Sequence, residues 1–421
     1  MHGASSPYQS PDRSTGDPVS QGPTLGALLR DYGETYISNY RPLAHQIKWI
    51  RAVRLCKTPA LGGHRIICNK CGSTHYMYHS CGHSQCPLCQ SIKRAQWQDR
   101  LSARLLNVPY IHGVFTLPHE LNGLIKRNKA QLYSVLMRSC WQTVKSLTLD
   151  PNHVGGLPGM ISVLHTFGSD MKYHVHVHSL ITFGGLDKGG KWCWPKQRKK
   201  LAPFRLMSGR FREVFMKNVQ HLINLKKIEA GFNWSELSKT LHKKRWNVRT
   251  PYPTMNTGLI EGYLARYINR VAISPSRLIY QQQEKQVQII YNDYKKQEQG
   301  KAAPKGIKSL HPLLAIHQMV SHVLPPYFQK ARYYGLHASA TFKRIKDQLP
   351  DKLKRNGNTI RTVFQILSDL LKVSPFQCEL CGSGDYSMIE IRPDEQYKFR
   401  FLSLPYGRSP PVINSFKSIA P

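Results

Sequence analysis

The chain is predicted to be an α+β protein. It should carry an N-terminal helical, zinc-binding module, a central antiparallel sheet with flanking helices, and an irregular C-terminal tail. Three observations predict this. Apolar residues recur at helical spacing near the N-terminus (Leu28, Leu29, Tyr32, Tyr36, then Ile47, Ile50, Val53, Leu55). Two β-patterned runs, Ile161–Phe167 and Tyr173–Phe183, flank a Gly168-Ser169-Asp170 turn. Six of the ten cysteines sit in C-x-x-C-like clusters.

Taken in order, residues 1–24 are rich in Ser, Pro, Gly and Gln and read as a disordered leader. Helices follow to about Thr58, where Gly62-Gly63 breaks the pattern ahead of the cysteines. Ser91–Leu106 reads as a basic helix. Tyr110–Leu117 reads as a strand closed by Pro118, and 119–147 as helix. After the two β runs, Gly184-Gly185 ends the second, and 186–250 reads as a basic, partly helical insertion. A helix over Thr257–Val271 comes next, then a hairpin of Leu278–Gln283 with Val287–Tyr291. A lysine-rich loop over 295–310 precedes a helix at His311–Val323. The domain reading is 1–24 leader, 25–95 metal-binding module, 96–340 central domain and 341–421 C-terminal region with one C-x-x-C.

Lys and Arg total 60 against 24 Asp and Glu in 421 residues, a formal net charge of +36. Such an excess, spread over the whole chain, calls for a polyanionic partner. No run of 18 apolar residues is present and no basic amphipathic anchor stands alone, so no membrane is expected as partner. The N-terminus lacks a signal-peptide pattern, and clustered cysteines suit a reducing compartment, so a cytoplasmic location is expected. No G-x-x-x-x-G-K-[ST] is present, which excludes a P-loop motor.

Residues 173–178 read Tyr-His-Val-His-Val-His. Side chains alternate along a strand, so the histidines share one face and the valines the other. Histidines at i and i+2 can hold a divalent cation, and His176 with His178 is the favoured pair. A third ligand is needed. If the two runs form a hairpin about 168–172, His165 lies opposite His176; His174 is the rival, nearer the strand end. A histidine-rich strand that binds nothing has the same pattern. Phosphoryl chemistry would make the ion Mg²⁺ or Mn²⁺.

Tyr263, Arg266, Tyr267 and Arg270 fall at i, i+3, i+4 and i+7, on one helical face. A tyrosine nucleophile must lose a proton whose unperturbed pKa is about 10, and flanking arginines favour the phenolate and hold a phosphate. Tyrosine pairs at this spacing also pack in ordinary cores, but paired arginines on the same face argue against a dry one. Together, the histidine strand and the tyrosine helix predict cutting and rejoining of single-stranded DNA through a phosphotyrosine bond.

Cys68-x-x-Cys71 and Cys86-x-x-Cys89 read as two knuckles around one tetrahedral structural zinc. Cys81, His64, His75 and His83 lie close enough to replace a ligand or form a second site. Cys378-x-x-Cys381 is half a site, either borrowing ligands or remaining free. Cys56, Cys140 and Cys193 read as isolated residues.

These features resemble the bacterial two-tyrosine rolling-circle transposases of the insertion sequence ninety-one type, in the histidine-hydrophobic-histidine endonuclease superfamily. The resemblance rests on Leu61-Gly62-Gly63-His64, the Cys68–Cys89 cluster, Val114–Leu121, Leu164–Gly168, His174–Leu180, Tyr263–Ile273, His322–Pro325 and Tyr334-Gly335. These occur in order over roughly residues 25–340. The family more often has proline at the position of Val175, which makes His176 and His178 its histidine pair.

The resemblance implies that 96–340 is the tyrosine endonuclease domain. One tyrosine attacks the scissile phosphate, leaving a 5′-phosphotyrosine and a free 3′-OH, and the second makes the next cut. It also implies single-stranded transposon ends and target DNA as partners, a host helicase to part the strands, and residence at the bacterial nucleoid. Leu117-Pro118-His119-Glu120 reads as a strand-to-helix corner. The competing readings are a plasmid replication initiator or relaxase with the same chemistry, a non-catalytic zinc-dependent nucleic-acid-binding protein, and a carboxylate-based metal-dependent nuclease. The last is weak, because no convincing acidic triad is visible.

Overall fold

The computed structural model describes residues 25–231, 234–255, 273–298, 301–345, 349–354, 360–371, 374 and 377–394. The helix expected over 257–271, with Tyr263, Arg266, Tyr267 and Arg270, lies outside them.

Helices α1 (Leu25–Tyr40) and α2 (Ala44–Leu55) open the chain, followed by strands β1 (Gly63–Cys68) and β2 (Thr74–Tyr78) and helix α3 (Ser91–Ser102). Then come β3 (Tyr110–Thr116), α4 (Asn122–Arg127), α5 (Lys129–Leu149), β4 (Gly159–Phe167) and β5 (Tyr173–Thr182). A two-strand flap, β6 (Gly185–Leu186) with β7 (Trp192–Cys193), leads to α6 (Phe204–Asn224), α7 (Trp234–Lys243) and β8 (Asn247–Arg249). The rest is β9 (Leu278–Gln281), β10 (Gln286–Asn292), β11 (Lys305–Leu310), α8 (Pro312–Ser321), β12 (Ala331–Gly335), α9 (Ser339–Ile345), α10 (Val363–Leu371) and β13 (Tyr386–Ile391).

The central sheet is antiparallel throughout, in the order β12-β4-β5-β3-β8. Its two faces follow from the alternation in β5. Val175 and Val177 point, with Phe115, Leu164 and Ile181, into a large apolar cluster roofed by α5 and α6. On α5, Leu132, Leu136, Ser139, Cys140, Thr143, Val144 and Leu147 are buried at three- and four-residue spacing, as one helical stripe against a sheet requires. Burial of each large apolar side chain here contributes roughly 1.5–3 kcal/mol. The segment expected as an insertion over 186–250 is therefore partly core: α6 supplies Phe211, Phe215 and Val219 to this cluster, and β8 pairs with β3.

The opposite face carries two separate apolar clusters. One unites α1 and α2 with Phe167, Met171, β9, β10 and α8. The other gathers Leu101, Leu105, Ile161, Val163, Leu180, Leu336 and Leu353. Gln46 Nε2 donates to the Val320 carbonyl at 3.0 Å, and the Leu324 N–H donates to Gln85 Oε1 at 2.9 Å, tying α8 and its exit to the N-terminal module.

The structure adds detail to three expectations. The loop predicted over 295–310 contains β11, which pairs with β10 from Val287 opposite Leu310 to Asn292 opposite Lys305, with its even-numbered residues half-buried and its odd-numbered ones exposed. The module predicted as helical contains the β1–β2 hairpin. The region predicted as an irregular tail contributes α9, α10 and β13, and β13 pairs with β1 to give a sheet of order β13-β1-β2. Among the described residues no helix is long and apolar enough to cross a membrane.

Candidate metal centres

β5 and β4 meet in a hairpin closed by Gly168 N–H to the Lys172 carbonyl at 3.0 Å, with Met171 at φ 62. That turn sets His165 directly opposite His176, and Val163 opposite His178. One ring nitrogen each from His165, His176 and His178 fall within 4.8 Å of one another, and the three are 2%, 8% and 6% exposed. They occupy the sheet face between the two apolar clusters, a buried polar stripe flanked by Phe167 on one side and Val163 on the other. His174 is outside this group and contributes its carbonyl, which accepts from His176 Nδ1 at 2.8 Å.

That hydrogen bond fixes the His176 tautomer. Nδ1 carries the proton, so Nε2 presents a lone pair, 3.1 Å from His178 Nε2. His178 Nδ1 lies 3.0 Å from Nε2 of His112 on β3. Burial pushes the His112 imidazole down to about 4, so it is neutral at physiological pH and can accept as well as donate. When His112 accepts from His178 Nδ1–H, both facing Nε2 atoms present lone pairs. This is the arrangement a cation needs, with each ligand oriented through its remote nitrogen. Three imidazole ligands leave coordination positions open for oxygen ligands, so the donor set fits a divalent catalytic ion. His112 did not emerge from the sequence, because it lies on another strand some sixty positions upstream and matches no motif. Its even position on β3, facing Leu180 in register, is the only signal.

The Leu117–Glu120 segment is a corner: His119–Leu121 forms a single 3₁₀ turn between β3 and α4. The His119 side chain is exposed, and Glu120 pairs with Lys244, anchoring the segment before β8.

The cysteines assemble differently from the single two-knuckle site. Cys86 and Cys89 join Cys56 and Cys81, whereas Cys68 and Cys71 join Cys378 and Cys381. The predicted quartet Cys68, Cys71, Cys86 and Cys89 is thus split between two groups. β1 and β2 lead the first knuckle away from the second and toward β13. None of the ten cysteines forms a disulfide. A tetrahedral zinc with Zn–S of about 2.3 Å sets sulfurs about 3.8 Å apart. The observed separations are 3.8 Å for Cys81–Cys89, 3.5 Å for Cys68–Cys381 and 3.6 Å for Cys71–Cys378. Both quartets therefore fit zinc. In the first group, hydrogen bonds from Cys56, Cys81 and Cys86 hold the Cys89 thiol well below its ordinary range. In the second, Ser73 and the backbone N–H groups of Cys381 and Leu380 push Cys378 down to about 6. Cys56, read as an isolated residue in the sequence, is a member of the first group; Cys140 is buried on the core face of α5 and Cys193 stands apart in the flap. His64, His75 and His83 are in neither group.

Comparison with known proteins agrees with zinc binding by the cysteines. A family model described as "Putative transposase" matches residues 159–344, and one described as "Transposase zinc-binding domain" matches residues 28–117. The chain is 32% identical over 387 residues to "Putative transposase y4qJ" of Sinorhizobium fredii (strain NBRC 101917 / NGR234), covering 88% of this chain and 96% of that one. It is 26% identical over 347 residues to "Transposase for insertion sequence element IS801" of Pseudomonas savastanoi pv. phaseolicola, covering 80% of this chain and 82% of the relative. No solved structure matches the chain.

Proposed function

The chain belongs to the IS91-type transposase family, with its zinc-binding domain, and from that premise we propose that it cuts and rejoins single-stranded transposon ends through 5′-phosphotyrosine intermediates. The observation that carries this reading is the buried His165, His176 and His178 group, one ring nitrogen of each lying within 4.8 Å of the others. Mg²⁺ or Mn²⁺ held there would polarise the scissile phosphate and stabilise charge on its oxygens.

Tyr263 and Tyr267 are the proposed nucleophiles, with Arg266 and Arg270 holding the DNA phosphate. The phenolate oxygen of one tyrosine attacks phosphorus. The bond to the 3′ oxygen breaks, and that oxygen leaves as a 3′-OH after taking a proton. The energy of the broken phosphodiester is kept in the phosphotyrosine, so a 3′-OH from target DNA reverses the step without ATP. The second tyrosine performs the next cut. His112 keeps His178 in the tautomer that presents Nε2, and the His174 carbonyl does the same for His176. Zinc held by Cys56, Cys81, Cys86 and Cys89 supports the module that grips DNA, since that group lies under α1 and α2. A host helicase supplies the single strand.

The test is a denaturing-gel assay for covalent protein–DNA adducts, using labelled single strands from the flanks of the protein's own gene. Wild type is expected to give an adduct that requires Mn²⁺ or Mg²⁺. Tyr263→Phe and Tyr267→Phe should each lose one of two cutting steps, and the double variant all adduct. Salt-sensitive DNA binding with no adduct on these strands would overturn the chemistry and leave a binding protein.

A further inference from the structure

The two knuckles of the second cysteine group are the same motif. Cys68-Asn69-Lys70-Cys71-Gly72-Ser73 and Cys378-Glu379-Leu380-Cys381-Gly382-Ser383 are both C-x-x-C-G-S. Their backbones match as well. Gly72 N–H donates to the Cys68 carbonyl at 2.8 Å, and Gly382 N–H to the Cys378 carbonyl at 2.8 Å. Cys68 N–H donates to the Ser73 carbonyl at 2.9 Å, and Cys378 N–H to the Ser383 carbonyl at 2.8 Å. Both glycines sit at positive φ, 73 and 70, a conformation that side-chain-bearing residues rarely adopt. Two equal turns thus aim four sulfurs at one point.

The strands that follow hold them there. β13 runs antiparallel to β1 from Gly63 opposite Ile391 to Cys68 opposite Tyr386. Asn69 Nδ2 donates to Asp385 Oδ1 at 2.7 Å, Ser387 Oγ donates to Asn69 Oδ1 at 2.7 Å, and the Asn69 N–H reaches the Asp385 carbonyl. The matched zinc-binding segment ends at residue 117, so half of this ligand set lies far outside it.

We infer that Cys68, Cys71, Cys378 and Cys381 bind a second zinc ion, separate from the one at Cys56, Cys81, Cys86 and Cys89. This ion makes a zinc ribbon from the two ends of the chain, so the C-terminal segment is a working part of the N-terminal module. Four thiolates and no open position make it a structural ion.

Cobalt substitution of the full-length protein reads this directly, because thiolate-to-cobalt charge transfer reports sulfur ligands and not the histidine group. Cys378→Ser with Cys381→Ser is expected to lose half of that absorbance and one zinc per chain relative to wild type. Cys86→Ser with Cys89→Ser should lose the other half. Unchanged absorbance and zinc content in the Cys378/Cys381 variant would overturn the inference. Should that variant fail to fold, native alkylation of the zinc-loaded wild type decides. Cys71 is exposed, yet it should resist modification together with Cys378 and Cys381, and react once a chelator is added. Alkylation of these three at the rate of Cys193 before chelation would overturn the proposal equally.

Discussion

Burial holds His322 neutral. It is 7% exposed, its ring lies between Phe167 and Tyr173, its Nε2–H donates to the Met171 carbonyl at 2.9 Å, and its Nδ1 accepts from the Thr166 hydroxyl at 3.1 Å. Desolvation pushes its pKa down to about 4, with Lys129 and Lys126 nearby acting in the same direction. The unfolded chain binds that proton near pH 6.5, the folded chain only near pH 4. His322 therefore contributes its full stability above pH 6.5 and loses it as the pH falls from 6.5 toward 4. At about 1.4 kcal/mol per unit, the loss reaches up to about 3 kcal/mol and then levels off. Thermal melts across this range should fall with pH, and His322→Gln should flatten the slope. A slope identical in the two proteins would assign the acid sensitivity elsewhere. His322 appeared in the sequence only as part of a family motif; its enclosure depends on contacts with a hairpin some 150 residues earlier, which no local pattern reports.

Single elements were the most legible scale. The β4–β5 hairpin could be read because period-two alternation and a Gly-Ser-Asp turn are local properties, and the turn fixes the register that sets His165 opposite His176. The cysteines could not be paired, because spacing along the chain does not say which knuckles meet. Cys68-x-x-Cys71 and Cys86-x-x-Cys89 are neighbours in sequence, but the first sits at the turn between β1 and β2, beside β13, and the two go to different partners. β12 supplies an element-level prediction. Its last residue, Gly335, has φ 57, and a Cβ there would overlap the Pro158 carbonyl oxygen and crowd the Trp141 ring. Gly335→Ala should cost at least about 1–3 kcal/mol from the backbone conformation alone, and lower the melting temperature by several degrees. An unchanged melt would show that β12 can leave the sheet without consequence.

At the scale of the whole molecule, a net charge of +36 should dominate affinity for DNA. If six to ten phosphates are neutralised, binding to a single strand should weaken by about 10²–10⁴-fold between 50 and 200 mM salt. A flat titration over that range would remove phosphate contact as the source of binding. Charge was plain in the sequence, since it needs only counting. The assembly of the module was not, because it joins α1 and α2 to β9, β10 and α8, and joins β1 to β13, across most of the chain. The β1–β13 pairing bears on how the protein is made. Positions 68 and 381 are 313 residues apart, and at about 5–20 residues per second the ribosome needs on the order of 15–60 s to cover that distance. Throughout that interval the nascent chain displays β1 with β2 on one edge and nothing yet synthesised for the other. A product cut short before Tyr386 never closes that edge, so only a polypeptide translated through β13 has a complete N-terminal sheet.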